Sequence, residues 1–299
     1  MNFNVVGIGE VLWDLLLTGP QLGGAPANFA YHAHALGARS RVITRAGDDE
    51  QGREIMRRFG ELALPTDNVQ TDPAAPTGTA KVSLSGDGLA HFTIQENVAW
   101  DHLEVKPEAL GAVCEAHAIC FGSLAQRCET SRNSIRELVA AAPADALCVF
   151  DINLRQHYYS RDVIEQSLRL SNVLKLNDDE LRILAEMFGL TGGTERQVEA
   201  LARTFNQGVV VLTRGPQGSR LYEDGRWSNC PSRPVEVVDT VGAGDSFTAA
   251  LVIGLLSQMD LDEINLFANE VASYVCSQPG ATPPLPAEIA DNLRTKYDL

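Results

Sequence analysis

Positive charge is scarce in this chain. Its 299 residues carry 24 lysines and arginines against 39 aspartates and glutamates, a formal net charge of −15. Nucleic-acid binding rests on Lys and Arg neutralising phosphates, so that class of partner is excluded, while a locally basic pocket for a small anion is not. Long apolar runs are missing too, which excludes a bilayer-spanning helix and a membrane partner. Met1–Gly9 has neither a basic n-region nor a long apolar h-region and reads as a first strand, not a secretory signal. None of the six cysteines (Cys114, Cys120, Cys128, Cys148, Cys230, Cys276) makes a C-x-x-C pair, so reduced thiols in a cytoplasmic protein are expected. The six histidines form no H-x-x-x-H or H-E-x-x-H pattern, so no zinc site is read. No G-x-x-x-x-G-K-[ST] occurs, which disfavours a Walker A hydrolase. Gly7-x-Gly9 lacks the third glycine of the dinucleotide fingerprint.

What the chain does have is apolar substance, 44% of its residues, enough for a substantial core. From Ala118 onward, short apolar strands alternate with helical segments. Strands are expected at 118–121, 147–150, 173–176 and 209–212, and helices at 130–142 and 163–170, with a further helix opening at Asn177. Strands with few polar residues, each followed by a helix, imply an α/β fold with a mainly parallel sheet covered on both faces. Ligands bind such sheets beyond the carboxyl ends of the strands. Polar clusters fall there three times: Asp151/Asn153/Arg155, Asn177/Glu180 and Thr213/Gly215/Gly218. Earlier in the chain, Gly19–Asn28 reads as a glycine-rich loop opening a helix that ends at Gly37. Between Thr79 and Ile94 an alternating pattern around Ser85-Gly86-Asp87-Gly88 reads as a β-hairpin with one wet face, a small sheet appended to the main body. Pro279–Pro286 reads as a turn before a last helix.

The stretch Asp239-Thr240-Val241-Gly242-Ala243-Gly244-Asp245 precedes an apolar helical pattern. A glycine turn opening a helix presents unpaired N–H groups beside the positive end of the dipole, a place for phosphate. Asp245 has two readings there: a helix N-cap, or a base that takes a proton from whatever attacks the phosphate. Asp14 and Asn28 are side-chain types that hold sugar hydroxyls, or else a solvated loop acid and a capping amide.

With those residues in view, the chain resembles the ribokinase-like (PfkB) carbohydrate kinases over essentially its whole length. Gly23-Gly24-Ala25-Pro26-Ala27-Asn28 resembles the family's N-terminal signature. Asp239–Asp245 resembles its C-terminal signature, and Asn177-x-x-Glu180 its metal-associated motif. Trp100-Asp101, Phe121–Ala125 and Asp151-Ile152-Asn153-Leu154-Arg155 are most similar to bacterial fructokinases, although the Asp14–Gly23 loop is short for one. The resemblance implies a three-layer α/β/α domain spanning 1–299 with a β-lid from segments near 11–22 and 69–101. It implies transfer of the γ-phosphate of MgATP to a sugar hydroxyl. Asp245 would be the base and the N–H groups of Gly242, Ala243 and Gly244 the anion hole. Asp14, Gly24 and Asn28 would hold the sugar, and Arg155 would bridge sugar and phosphate or sit in a surface ion pair. Thr213, Gly215 and Gly218 would line the nucleotide, with Asn269 near base or ribose or on a plain helix surface. Asn177 and Glu180 would act on Mg2+ through its waters, or serve as a helix N-terminus. Asp239, the Val241 carbonyl and the Gly280 turn would hold a monovalent cation, K+. A homodimer through the lid sheets is a further expectation. Ribose, a 2-keto-3-deoxy sugar acid or a nucleoside stay open as acceptors, and so does a non-catalytic sugar or nucleotide sensor on the same fold.

Overall fold

The computed structural model describes residues 3–16, 19–84 and 90–289. In chain order its elements begin with β1 (Asn4–Ile8), β2 (Leu12–Leu16), β3 (Gly19–Gly23), α1 (Ala25–Ala35), β4 (Arg39–Gly47) and α2 (Glu50–Glu61). They continue with β5 (Val69–Asp72), β6 (Gly78–Leu84), β7 (Ala90–Ile94), α3 (Pro107–Cys114), β8 (Ala118–Phe121), α4 (Glu129–Ala140), β9 (Leu147–Asp151) and α5 (Arg161–Leu170). The remainder is β10 (Val173–Asn177), α6 (Asp178–Phe188), α7 (Thr194–Phe205), β11 (Val209–Thr213), β12 (Ser219–Glu223), β13 (Arg226–Cys230), α8 (Ala243–Leu256) and α9 (Leu261–Cys276).

A nine-stranded sheet runs in the order β13-β12-β11-β10-β9-β8-β1-β4-β5. From β5 to β11 every neighbouring pair is parallel, and β12 and β13 close that edge antiparallel. Alternation along each strand sorts side chains between two helical layers. Val5, Ala118, Cys120, Val149, Val173 and Val211 pack with α1, α8 and α9. Val6, Ile8, Ile119, Phe121, Phe150, Leu174 and Leu212 pack with α3 to α7. Phe121 and Phe150, adjacent in register, stack with ring centroids 5.3 Å apart. Each buried Val, Leu, Ile or Phe among them contributes about 1.5–3 kcal/mol by leaving water.

A separate four-stranded sheet has the order β3-β2-β6-β7, with β2 and β6 parallel and both outer pairs antiparallel. Two expectations change here. Gly19–Gly23 is an edge strand, not a loop, and Pro20 is tolerated because an edge leaves its missing N–H unneeded. Val69–Asp72, expected with the small sheet, instead pairs with β4 at the edge of the large one. The small sheet is anchored at its root, where Trp13 Nε1 donates to the Gln51 carbonyl on α2 at 3.0 Å. The expected hairpin turn 85–88 and the body of the last helix, past residue 289, lie outside the described residues.

The β12–β13 hairpin was not anticipated. Its turn is Asp224-Gly225, with φ of 46° and 83°, the left-handed pair that a two-residue hairpin turn requires. α8 is also more buried than an amphipathic helix: Ser246 through Gly254 are all inside. No described helix is long and apolar enough to cross a membrane.

Candidate active site

The carboxyl ends of β1, β9, β10 and β11 converge on the N-terminus of α8. Gly242 caps that helix with φ 78°, a left-handed conformation suited to glycine. A Cβ at 242 would lie 2.4 Å from the Ala281 carbonyl oxygen, so the turn packs straight onto the 280–281 backbone. The N-cap position belongs to Gly242, and Asp245 lies in the first turn of the helix, which removes the N-cap reading. Its Oδ2 instead accepts from Asn28 Nδ2 at 2.8 Å, across 217 residues of sequence. Burial, then the nearby Asp151 charge, pushes the Asp245 carboxyl up to about 6, against the Asn28 hydrogen bond and the Lys175 charge.

Two cavities meet at this turn, sharing Thr240 and Gly244. The first, about 500 Å³, is lined by Glu10, Asp14, Gly24, Asn28, Asn153, Arg155, Lys175, Gly242, Gly244 and Asp245. Leu12, Asp14, Leu16, Gln21, Ala80 and Ile94 of the small sheet form one wall. Asp14 lies on β2, and burial lifts its carboxyl to about 6 while Arg155 opposes the shift. Gly24 has φ 116°, and a Cβ there would meet the Glu10 carbonyl oxygen at 2.5 Å, so α1 begins pressed against the β1–β2 connection. Arg155 is exposed and lines the same cavity, with its Nη1 donating to the Leu154 carbonyl at 3.2 Å.

The second cavity, about 390 Å³, is mostly apolar, with Val235, Val237, Phe247 and Ala272 beside Thr213, Gly215, Gly218, Ala243 and Asn269. Asn269 is buried, not on a helix surface, and its Nδ2 donates to Ser219 Oγ at 2.6 Å and to the Asn265 carbonyl at 2.8 Å. The Ala243 N–H turns back to the Thr240 carbonyl at 3.3 Å.

Asn177 and Glu180 form a capping box on α6. Asn177 Oδ1 accepts from the Glu180 N–H at 2.9 Å, and Glu180 Oε2 from the Asn177 N–H at 2.8 Å. Glu180 Oε1 accepts from the Leu154 N–H at 2.9 Å, which ties α6 to the Asp151–Arg155 loop. Burial raises the Glu180 carboxyl above its usual range. Asp239 staples two turns: Oδ1 accepts from the Val241 N–H at 3.0 Å and Oδ2 from the Gly280 N–H at 3.1 Å. His32 Nε2 reaches the Ala281 carbonyl at 2.8 Å and Tyr31 the Pro283 carbonyl at 3.1 Å, so α1 grips the same turn.

Two residues of the site were missed in the sequence. Glu10 is 3% exposed, and burial pushes its carboxyl up to about 7. Lys175, 8% exposed, donates from Nζ to both oxygens of Asp151 at 2.9 Å. Burial works against its ammonium, but Asp151 and Glu180 hold it above the usual lysine value. The available signal was parity. Asp151 and Lys175 are register partners on β9 and β10, on the face that packs with α8.

The pfkB family carbohydrate kinase profile matches residues 19–288. This chain belongs to the pfkB family of carbohydrate kinases. The fructokinase of Klebsiella pneumoniae is 30% identical over 283 residues, covering 91% of each chain. The sugar kinase PH1459 of Pyrococcus horikoshii is 29% identical over 303 residues, 93% of this chain and 91% of that one. Its crystal structure with ATP superposes with a TM-score of 0.82, covering 97% of this chain and 99% of that one. The Vibrio cholerae O395 fructokinase, solved with fructose, ADP and calcium, has the same fold, with a TM-score of 0.81 at 23% identity over 97% and 99% of the two chains.

Proposed function

We propose that this carbohydrate kinase phosphorylates fructose, with Asp245 as the general base. The observation that carries the reading is the meeting of two cavities at one helix N-terminus, with Asp245 on the acceptor side. The 500 Å³ cavity offers Asp14, Asn28 and Asp245, groups that hold hydroxyls, against the apolar wall of the small sheet. The apolar second cavity suits a nucleotide base, with Thr213, Gly215, Gly218 and Asn269 among the residues that would line the nucleotide. In the transfer, Asp245 takes the proton of the attacking hydroxyl, and the N–H groups of Gly242 and Gly244 receive the charge growing on the phosphoryl oxygens; the Ala243 N–H, expected as a third donor, is turned to the Thr240 carbonyl. Arg155, which lines the acceptor cavity, would bridge sugar and phosphate as a planar donor fork. The small sheet acts as a lid that keeps water from the γ-phosphate. Its edges, β3 and β7, are where a second copy would pair.

The fit to Mg2+ is indirect. Asn177 Oδ1 and both oxygens of Glu180 already accept backbone N–H groups, so this pair would act on Mg2+ only through its waters, which Mg2+ retains. A bound Mg2+ would neutralise charge on the nucleotide phosphates. K+ would sit beside Asp239, the Val241 carbonyl and the Gly280 turn; both Asp239 oxygens accept backbone N–H groups there, so the carboxylate would share them with the cation.

The test is ADP release with fructose, ribose, 2-keto-3-deoxygluconate and adenosine as acceptors. Fructose giving the highest kcat/KM supports the proposal. A preference for another acceptor moves the assignment within the family, and no stimulation by any of them points to a sensor.

A further inference from the structure

Lys175 breaks the apolar run of β10 with a buried cation. Asp151 compensates the charge and also accepts from Thr248 Oγ1 of α8 at 2.9 Å. A buried ion pair contributes little net stability, and apolar residues of similar volume often do as well. Position gives the pair a purpose. A Cβ built on Gly244 would lie 3.0 Å from Lys175 Nζ, so the ammonium lies directly under the glycine turn that opens α8. It also lines the acceptor cavity beside Asp245. An ammonium has three donors, and Asp151 takes two of them.

We propose that Lys175 is a further catalytic residue: its third N–H holds a non-bridging oxygen of the phosphoryl group as that group crosses the Gly242–Gly244 turn. The inference rests on the sugar-kinase reading above. In the step it assists, the sugar O–H bond breaks and its proton passes to Asp245. The sugar oxygen bonds to phosphorus, and the bond from phosphorus to the leaving oxygen of ADP breaks with its electron pair on ADP. Lys175 keeps its protons throughout and supplies fixed charge where negative charge spreads, in a site already shaped to receive it. Asp151, itself held by Thr248, holds the ammonium in place, so no rearrangement is needed during transfer.

The charge-balanced double variant Lys175→Met/Asp151→Asn tests this without leaving a lone buried charge. Its melting temperature is compared with that of wild type to show that it folds. The expected result is a kcat lower by about 10²–10³, the usual loss for one anion-hole donor, with KM for ATP and sugar within about threefold. The affinity for ADP with aluminium fluoride and sugar, a mimic of the transferring phosphoryl, falls by a similar factor. A double variant with near wild-type kcat and unchanged affinity for the mimic overturns the proposal while leaving the kinase reading intact. A wild-type enzyme without sugar-stimulated ADP release overturns the kinase reading instead. If the double variant does not fold, the wild type decides through NMR of its lysine side chains, of which the chain has only Lys81, Lys106, Lys175 and Lys296. The Lys175 ammonium resonance is expected to shift with the aluminium fluoride mimic and not with ADP alone. An unmoved resonance overturns the proposal.

Discussion

Replacing Asp245 by Asn removes the base while leaving its surroundings nearly in place. The Asn28 amide can still donate to the amide oxygen of the introduced side chain, as it now does to Asp245 Oδ2 at 2.8 Å. Binding of ATP and sugar is therefore expected to change little. Loss of a positioned general base costs about 10²–10⁴ in rate, and kcat is expected to fall within that range. The pH profile gives a second handle. Asp245 is active when charged, and its carboxyl is lifted to about 6, so wild-type kcat/KM is expected to fall as pH drops through about 6. At pH 5 about a tenth of the enzyme would keep the base charged, by the ordinary titration relation. The variant should lose this acid limb. Stability responds in the opposite sense. The folded state raises this pKa, so the charged form is penalised. The penalty is absent below the unfolded value of 3.8 and complete above about 6. Asp245→Asn is therefore expected to melt higher than wild type at pH 8 and at the same temperature near pH 3.5. Steady-state kinetics from pH 5 to 8 and thermal melts at both pH values make the test. A variant with kcat within tenfold of wild type, or one that keeps the acid limb, would refute Asp245 as the base.

Glu10 carries the same logic further from the chemistry. It is 3% exposed and lifted from 4.5 to about 7, so Glu10→Gln should stabilise the fold by up to roughly 3 kcal/mol at pH 8 and by nothing near pH 4; chemical denaturation at the two pH values measures it. Gly242→Ala forces a Cβ into a left-handed conformation, 2.4 Å from the Ala281 carbonyl oxygen, and should cost at least about 1–2 kcal/mol; an unchanged melting temperature would mean the turn is not held as described. Exchanging K+ for tetramethylammonium at constant ionic strength is expected to lower kcat several-fold, and Asp239→Ala to abolish that response; a wild-type rate indifferent to the cation would remove K+ from the proposal.

The parts of the fold read best from the sequence were those written in local pattern. The strands β8 to β11 announced themselves as apolar runs, and polar clusters at their ends marked the crevice. The small sheet was harder. β3 is built on Gly19, Pro20 and Gly23, residues that locally favour turns, and only its pairing with β2 makes it a strand. The β12–β13 hairpin carries a local signal in Asp224-Gly225, whose positive φ values suit a two-residue turn. Within the site, motif residues such as Asn28 and Asp245 were legible singly, but their hydrogen bond spans 217 residues and belongs to the packing of α1 on α8. Lys175 was hidden because a single charge in an apolar strand looks like noise until the register pairs it with Asp151. Asn177 and Glu180 had two readings, and the structure shows the capping box directly.

The most direct test of the central assignment identifies the product. Purified enzyme with ATP, Mg2+ and fructose, followed by phosphorus NMR, is expected to show the γ-phosphate signal lost as a sugar phosphate monoester grows in step with ADP, and Asp245→Asn to show neither change on the same timescale. Growth of inorganic phosphate in place of the ester, or no change at all with wild-type enzyme, would contradict it.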